Sequence, residues 1–283
     1  MKQRLITAAC LLAVLAVVVW QINTPVLLIA VAFLSAVASG EIMKCAKVEN
    51  TFIRVVGIIF SACFQLFASA KVLEPWVSAS IWGKVIDAVP NIVYIIILCL
   101  VFFLAMLKDY AYTTFEDVSV SIFASVAVPF GFSIFIRLRD MYVDEQFGIY
   151  LIFYALICAL ATDTGAQLMG MAFGKHKMAP KLSPKKSVEG GIGGIAGAAL
   201  IAVLYALAIN HWGNAGVSVA SFAIIGAAGG AISQIGDLAA SAIKRNHDIK
   251  DYGKLIPGHG GILDRFDSII FTAPIIFYLS VLL

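Results

Sequence analysis

Residues 215–283 read AGVSVASFAIIGAAGGAISQIGDLAA, then SAIKRNHDIKDYGKLIPGHGGILDRFD, then SIIFTAPIIFYLSVLL. The outer two stretches are apolar, as membrane-crossing helices are, whereas the middle stretch, Ser241–Asp267, carries nine charged residues of both signs. A positive-inside anchor would be mostly basic. Carboxylates beside cations and glycines are what a metal-assisted phosphate site requires. The stretch therefore predicts an active site at a membrane surface.

Composition predicts the fold class. The 283 residues are 61% hydrophobic and 13% charged, with a mean hydropathy of +0.96, and they contain apolar runs of helix length rather than short alternating strands. The first run, Leu5–Trp20, lacks a small-residue cleavage site, so we interpret it as a retained helix. The five cysteines are scattered without metal-ligand spacing, which favours buried thiols. The chain is predicted to be an all-α polytopic integral membrane protein.

Hydropathy predicts about nine transmembrane helices and a polar site at the cytoplasmic face. The predicted spans are 5–20, 24–40, 52–70, 91–107, 119–136, 149–171, 189–210, 216–240 and 264–283. With the N-terminus inside, the basic residues that fall outside are Lys71, Lys84, Arg137 and Arg139, which leaves 20 − 4 = 16 inside. The positive-inside rule therefore favours a cytoplasmic N-terminus and an external C-terminus.

Charge divides the chain into two predicted regions. Residues 1–140 form N-terminal transmembrane helices joined by loops with few charges, which we interpret as a scaffold or lipid-facing wall. Residues 141–283 form a C-terminal transmembrane catalytic region with cytoplasmic loops 174–189 and 241–265. The predicted topology places both loops on one face of the membrane, so we expect them to meet in one site.

Two aspartates are candidate metal ligands. Asp237 lies in the last turns of the eighth span, and Asp264 lies in the first turn of the ninth. Two carboxylates that converge near lipid repel each other unless a cation lies between them, and an oxygen-only ligand set points to Mg²⁺. The alternative is that Asp237 pairs with Lys244 and Asp264 with Arg265.

The glycines near the ninth span indicate a close backbone approach. Gly258, Gly260 and Gly261 lead into a helix whose N-terminal amides would face a phosphate ligand. For His259 three roles stay open: a donor to a phosphate oxygen, a proton acceptor, or a residue that holds the loop through a hydrogen bond.

Small-residue spacing predicts that the seventh and eighth spans pack tightly. The spacing occurs at Gly190 and Gly194, at Gly193 and Gly197, and at Gly226 and Gly230.

The C-terminal segment resembles a known signature. Its spaced residues are Ser241-x-x-Lys244-Arg245-x₄-Lys250-Asp251-x-Gly253-x-x-Ile256-Pro257-x-His259-Gly260-Gly261-Ile262-x-Asp264-Arg265-Phe266-Asp267. The pattern is similar to that of CDP-diacylglycerol synthases, also called phosphatidate cytidylyltransferases. The preceding loop agrees, with Asp163-Thr164, then Phe173-Gly174-Lys175-His176-Lys177, Pro180, Ser183-Pro184-Lys185-Lys186-Ser187 and Glu189-Gly190. One departure is Gln167, where an aromatic residue is expected.

The resemblance implies a reaction and its participants. The family transfers a cytidylyl group from CTP to phosphatidate, which yields CDP-diacylglycerol and pyrophosphate for phospholipid synthesis and requires Mg²⁺; a monovalent cation such as K⁺ can share the site. The expected partners are CTP, phosphatidate and membrane lipids, with no nucleic acid, and a homodimer is left open. The expected location is the cell membrane, the inner membrane if the source is bacterial.

The resemblance also implies site residues. The metal ligands are Asp237 and Asp264. The catalytic candidates are Lys244, Arg245, Lys250, His259, Arg265 and Asp267. The substrate-binding candidates are Asp163, Ser183, Lys185, Lys186, Ser241, Gly260 and Gly261.

Two other functions are weighed against this one. A CTP-dependent polyprenol kinase would also use basic loops at a membrane, but its alcohol acceptor would need deprotonation. A transporter could place Asp163, Asp237 and Asp264 along an ion pathway. A transporter would not need the dense charged segment that ends in Gly-His-Gly-Gly, and no inverted repeat is visible in the sequence.

Overall fold

The computed structural model describes residues 2–68, 91–141, 147–258 and 260–283. In these ranges the chain forms nine helices and one pair of short strands. The helices are α1 Lys2–Trp20, α2 Val26–Cys45, α3 Thr51–Ala68, α4 Asn91–Lys108, α5 Phe115–Asp140, α6 Phe147–Phe173, α7 Val188–Gly213, α8 Val219–Asn246 and α9 Leu263–Leu282. The strands are β1 Lys177–Ala179 and β2 Ser183–Ser187. Each predicted span coincides with one helix, with ends shifted by a few residues.

Six helices are long and apolar enough to cross a bilayer: α2, α5, α6, α7, α8 and α9. Two shorter apolar helices lie at Thr51–Leu66 and Ile92–Lys108. The chain is therefore a multi-pass membrane protein, and its described residues form helices apart from one strand pair. That all nine helices cross the membrane stays a prediction. The predicted sides of the loops and of the two termini depend on it.

The chain divides into two compact units. The first, called here the N-terminal unit, combines Met1–Asp140 with Asp251–Asp264. The second, the C-terminal unit, combines Met141–Lys250 with Arg265–Leu283. The glycine-rich segment that follows α8 therefore belongs to the unit built from the first five helices.

Buried polar side chains join the helices of the N-terminal unit. Ser39 of α2 donates a hydrogen bond to the carbonyl oxygen of Ala124 on α5 at 2.6 Å. Gln65 of α3 donates to the hydroxyl of Ser35 on α2 at 2.8 Å and to the carbonyl oxygen of Pro129 on α5 at 2.9 Å. In lipid, where apolar side chains provide no driving force between helices, such bonds help to fix which helices pack together.

The predicted close packing of α7 and α8 is confirmed at two glycines of α8. A Cβ atom added at Gly226 would lie 2.6 Å from the Cβ of Ala202, and one added at Gly230 would lie 2.9 Å from the Cβ of Ala198. Both distances are shorter than carbon atoms tolerate. The two helices therefore approach as closely as their backbones and alanine side chains permit.

The glycines of α7 also serve a second contact, with α6. A Cβ atom added at Gly194 would lie 2.9 Å from the carbonyl oxygen of Thr162 on α6, and one added at Gly165 of α6 would lie 2.8 Å from the carbonyl oxygen of Gly193. The small residues of α7 therefore also permit a close approach of α6, which the spacing alone did not predict. Glycines lie on two faces of α7, and spacing along the chain does not distinguish which neighbour each face meets.

Both polar loops contain more regular structure than the sequence predicted. Residues 174–189 include the antiparallel pair of β1 and β2, in which Lys177 pairs with Ser187 and Ala179 with Ser183. In the segment 241–265, α8 continues to Asn246 and α9 begins at Leu263, so the described residues without helix are 247–258 and 260–262. The short polar strands lack the alternating apolar pattern by which strands are predicted.

Candidate active site

An ion pair connects the strand pair to α8. The Lys186 ammonium, on β2, contacts the Asp237 carboxylate on α8, and the two side chains are 27% and 29% exposed. Lys186 is held in place by the next residue, because the hydroxyl of Ser187 accepts the amide of Gly190 at 3.1 Å and caps α7. The junction between β2 and α7 therefore directs Lys186 towards α8.

A second carboxylate belongs to the same cluster. Asp163 of α6 is exposed and lies within electrostatic range of both Asp237 and Lys186. Two carboxylates within electrostatic range of each other repel, and the ammonium group of Lys186 offsets that repulsion. We call Asp163, Lys186 and Asp237 the acidic cluster of the C-terminal unit.

A looser ion pair connects α8 to the second turn of α9. The Lys244 ammonium lies 3.8 Å from the carboxylate of Asp267, and both side chains are largely buried. The helices approach closely here, since a Cβ atom added at Gly236 would lie 3.1 Å from the carbonyl oxygen of Asp267. Asp237 pairs with Lys186, and Lys244 pairs with Asp267. The alternative in which Asp237 pairs with Lys244 is therefore wrong.

In the N-terminal unit, Asp264 is held by main-chain amides. Its Oδ2 atom accepts the amide of Tyr252 at 2.8 Å and the amide of Gly261 at 3.0 Å. Between these two donors the chain makes a tight turn in which Ile256 and Gly260 exchange backbone hydrogen bonds of 2.9 and 3.1 Å. Amides from both sides of this turn, those of Tyr252 and Gly261, therefore fix the Asp264 carboxylate.

The turn requires glycine at two positions. Gly258 has φ of 77° and Gly260 has φ of 92°, in the left-handed region that side chains rarely adopt. His259, predicted at this turn, lies outside the described residues. Its three open roles remain predictions.

The sequence analysis missed Glu41. This residue of α2 is 8% exposed, and its carboxylate accepts the amide of Ile262 at 3.0 Å and the amide of Leu263 at 2.8 Å. The available signal was a lone carboxylate within the apolar run of α2, since an ionisable residue inside a membrane helix is a functional candidate by default.

The contacts of Glu41 correct the expectation for the start of α9. The amides of Gly261, Ile262 and Leu263 donate to Asp264 and Glu41, so carboxylates of the chain itself already satisfy these three donors. A carboxylate of the chain itself occupies the position at the positive end of the helix that an anion would favour.

The remaining predicted residues lie at or near the surface. Ser183 and Ser241 are half-buried. Arg245, whose guanidinium donates to the carbonyl oxygen of Ile249 at 3.0 Å, is exposed. Lys185, Lys250 and Arg265 are also exposed.

The structure brings together part of the predicted site. Asp163, Lys186 and Asp237 form the acidic cluster, and Lys244 contacts Asp267 in the same unit. Asp264 belongs to the N-terminal unit and Asp237 to the C-terminal unit. Their joint role as metal ligands stays a prediction.

The acidic cluster has donors that fit a hard divalent cation. Its two carboxylates offer only oxygen atoms, which Mg²⁺ prefers, and Mg²⁺ commonly takes one or two carboxylates and completes its shell with water and phosphate oxygens. No group of three or more histidine, cysteine or acidic side chains that could hold a metal occurs in the part of the chain that the structure describes. A protein cage for a softer metal is therefore not evident in that part.

Comparison with known proteins gives the family. The model of the cytidylyltransferase family matches residues 2–283, so the chain is a multi-pass membrane protein that belongs to this family. It is similar to the phosphatidate cytidylyltransferase of Bacillus subtilis, strain 168, with 30% identity over 285 residues that cover 100% of this chain and 98% of the relative. It is also 32% identical to the phosphatidate cytidylyltransferase of Staphylococcus aureus, strain COL, over 280 residues, or 98% and 97% of the two chains. The phosphatidate cytidylyltransferase of Haemophilus influenzae is 41% identical over 155 residues, which cover 54% of each chain.

Proposed function

We propose that the protein transfers a cytidylyl group from CTP to phosphatidate and releases pyrophosphate. The match to the family along residues 2–283 carries this proposal, because two relatives of the same name align over nearly their whole length. The acidic cluster and the Lys244–Asp267 pair support it, since they bring opposite charges together where a phosphoryl-transfer site needs them.

In the proposed reaction, a phosphate oxygen of phosphatidate forms a bond to the α-phosphorus of CTP. The bond from that phosphorus to the bridging oxygen of the β-phosphate breaks, and pyrophosphate leaves with its electron pair. Phosphatidate is already an anion at neutral pH, so no strong base is required. The barrier is mainly one of position and charge, and cationic side chains directed at the phosphates lower it.

The basic residues of the two loops are the proposed source of these cations. Lys186 and Lys244 are held by carboxylates and are therefore preorganised. Lys185, Lys250 and Arg265 are exposed, so a nucleotide that arrives from water can reach them. Phosphate groups of CTP would compete with the carboxylates for Lys186 and Lys244.

We also propose that the enzyme requires Mg²⁺, with Asp237 and Asp264 as ligands. When bound, the ion neutralises charge on the phosphates of CTP. Asp163, which lies near Asp237, would help to retain the ion in the acidic cluster. The position of a K⁺ ion and the formation of a homodimer are proposed only from the resemblance.

The proposed location is the inner membrane of a bacterium, with the site facing the cytoplasm. The bacterial source of the relatives supports the membrane assignment. The excess of basic residues in the loops predicted to be internal supports the orientation.

The test uses purified protein in detergent or nanodiscs. We expect pyrophosphate release that depends on CTP, phosphatidate and Mg²⁺ together, with a lipid product that contains cytidine. A polyprenol in place of phosphatidate distinguishes the kinase alternative, which would yield CDP and a polyprenyl phosphate. Absence of the cytidine-containing lipid from a folded, monodisperse sample would contradict the proposal.

A further inference from the structure

Glu41 is a buried carboxylate in an apolar helix. The sequence of α2, VLLIAVAFLSAVASGEIMKC, contains no other acidic residue, and Glu41 lies one turn before its end. Burial of a charged carboxylate in such surroundings is unfavourable unless donors satisfy its oxygen atoms. Both oxygen atoms have such donors, and both donors come from residues more than 200 positions away.

The segment around α9 is shaped to receive this carboxylate. Oε1 accepts the amide of Ile262, and Oε2 accepts the amide of Leu263. A Cβ atom added at either Gly253 or Gly261 would overlap the carboxylate. Glycine at these two positions therefore makes room for Glu41, so the close approach predicted for a ligand is made by a side chain of the protein.

The same segment also holds Asp264. The amide of Gly261 donates to Asp264, and the next two amides donate to Glu41. Two carboxylates thus share three consecutive amides at the start of α9. Any movement of the backbone away from Glu41 would also shift an amide that fixes the Asp264 side chain.

We propose that Glu41 is a positioning residue that fixes the 252–264 segment and, through it, the orientation of Asp264. This proposal rests on the proposed function where it assigns Asp264 to the reaction. A carboxylate suits the role because it presents two acceptors to two donors. A glutamine would present one acceptor and one amino group, and that amino group would face an N–H donor.

The experiment compares Glu41→Gln and Glu41→Asp with Ser39→Ala. Ser39 is a matched control, since it is a buried polar residue of the same helix whose hydrogen bond goes to Ala124 on α5. The first readout is amide hydrogen exchange of residues 252–264 without any substrate or metal. In Glu41→Gln we expect this exchange to be about tenfold faster or more, because a hydrogen bond to a charged acceptor is lost.

The second readout is the split between kcat and KM. In Glu41→Gln we expect kcat to fall about tenfold or more while KM for phosphatidate stays within about twofold, since only the orientation of Asp264 changes. Glu41→Asp keeps both acceptors and should lie between Glu41→Gln and the wild type. Ser39→Ala should match the wild type in both readouts.

Two outcomes would overturn the positioning role. One is segment exchange and kcat in Glu41→Gln equal to those of Ser39→Ala. The other is loss of folded protein in both Glu41 variants and in Gly253→Ala. The Gly253→Ala variant keeps the Glu41 carboxylate but displaces the segment from it. Such a loss would show that Glu41 serves the fold alone. The exchange readout needs no substrate, so it is independent of the reaction. If Glu41→Gln speeds exchange but the wild type shows no cytidylyl transfer, the proposed function is contradicted and the structural role of Glu41 is still supported.

Discussion

The ammonium group of Lys186 on β2 forms an ion pair with the carboxylate of Asp237 on α8. A residue of the loop 174–189 thereby contacts α8 one turn before Ser241, where the second polar segment begins. Asp163 of α6 contributes its charge to the same cluster. Three elements that are separate along the chain therefore converge on one group of charges.

Replacement of Lys186 tests whether this pair serves the reaction or the fold. In Lys186→Met, Asp163 and Asp237 lose their shared counterion, and we expect CTP-dependent pyrophosphate release to fall about tenfold or more. The stability should change little, by about 1 kcal/mol or less, because a partly exposed ion pair contributes little to folding. Turnover and thermal unfolding in detergent are the two measurements.

Lys181→Met is the control for this variant. Lys181 is exposed in the turn between β1 and β2. The substitution removes one positive charge from the same hairpin, as Lys186→Met does. It should retain wild-type turnover. Equal turnover in the two variants would show that Lys186 contributes only general positive charge.

Removal of one carboxylate charge tests the metal proposal. Asp237→Asn and Asp264→Asn keep the size of the side chain, and each should lose nearly all turnover, with the residual activity shifted to higher Mg²⁺ concentration. The measurement is pyrophosphate release over a Mg²⁺ titration. Glu116→Gln, an exposed acidic position on α5, is the control and should titrate as the wild type does. Wild-type turnover at unchanged Mg²⁺ in either aspartate variant would refute that ligand.

The sequence predicted the helices well because a span in lipid must satisfy its own backbone and be apolar over its length. It did not predict the strand pair, whose strands are short, contain three lysines among eight residues and lack an alternating apolar pattern. It also missed Glu41, because the amides of Ile262 and Leu263 that need an acceptor are invisible in a sequence. A lone glutamate in α2 signals only that some partner exists, and the fold decides which one.

The glycine contacts of the C-terminal unit predict which substitutions reduce folding. A leucine at Gly230 would collide with Ala198 on α7, and a leucine at Gly194 would collide with the backbone of Thr162 on α6. Overpacking of this kind costs about 1–3 kcal/mol or more, so both variants should lower the yield of folded protein in detergent.

Gly197→Ala is the matched control on the same helix. An added Cβ at Gly197 would lie 3.4 Å from the nearest atoms of α6, close to an ordinary contact. Its folded yield, measured by size-exclusion chromatography, should stay near that of the wild type. Wild-type yield and activity in both leucine variants would contradict the close approach of α7 to its two neighbours.

The last prediction concerns where the two substrates meet. CTP comes from water, whereas phosphatidate cannot leave the bilayer without exposing acyl chains, at about 0.8 kcal/mol per CH₂. The reaction is thus confined to headgroup depth on one face of the membrane.

Single cysteines at Lys181 and Lys254, both exposed, should react with impermeant thiol reagents only from the cytoplasmic side in an active, cysteine-free background. A cysteine at His211, near the end of α7, should react only from outside. CTP with Mg²⁺ should slow labelling at Lys254, because a bound nucleotide would shield the segment that holds Asp264. Labelling of Lys181 or Lys254 from the outside would overturn the topology, and with it the proposal that cytoplasmic CTP meets phosphatidate of the inner leaflet at this site.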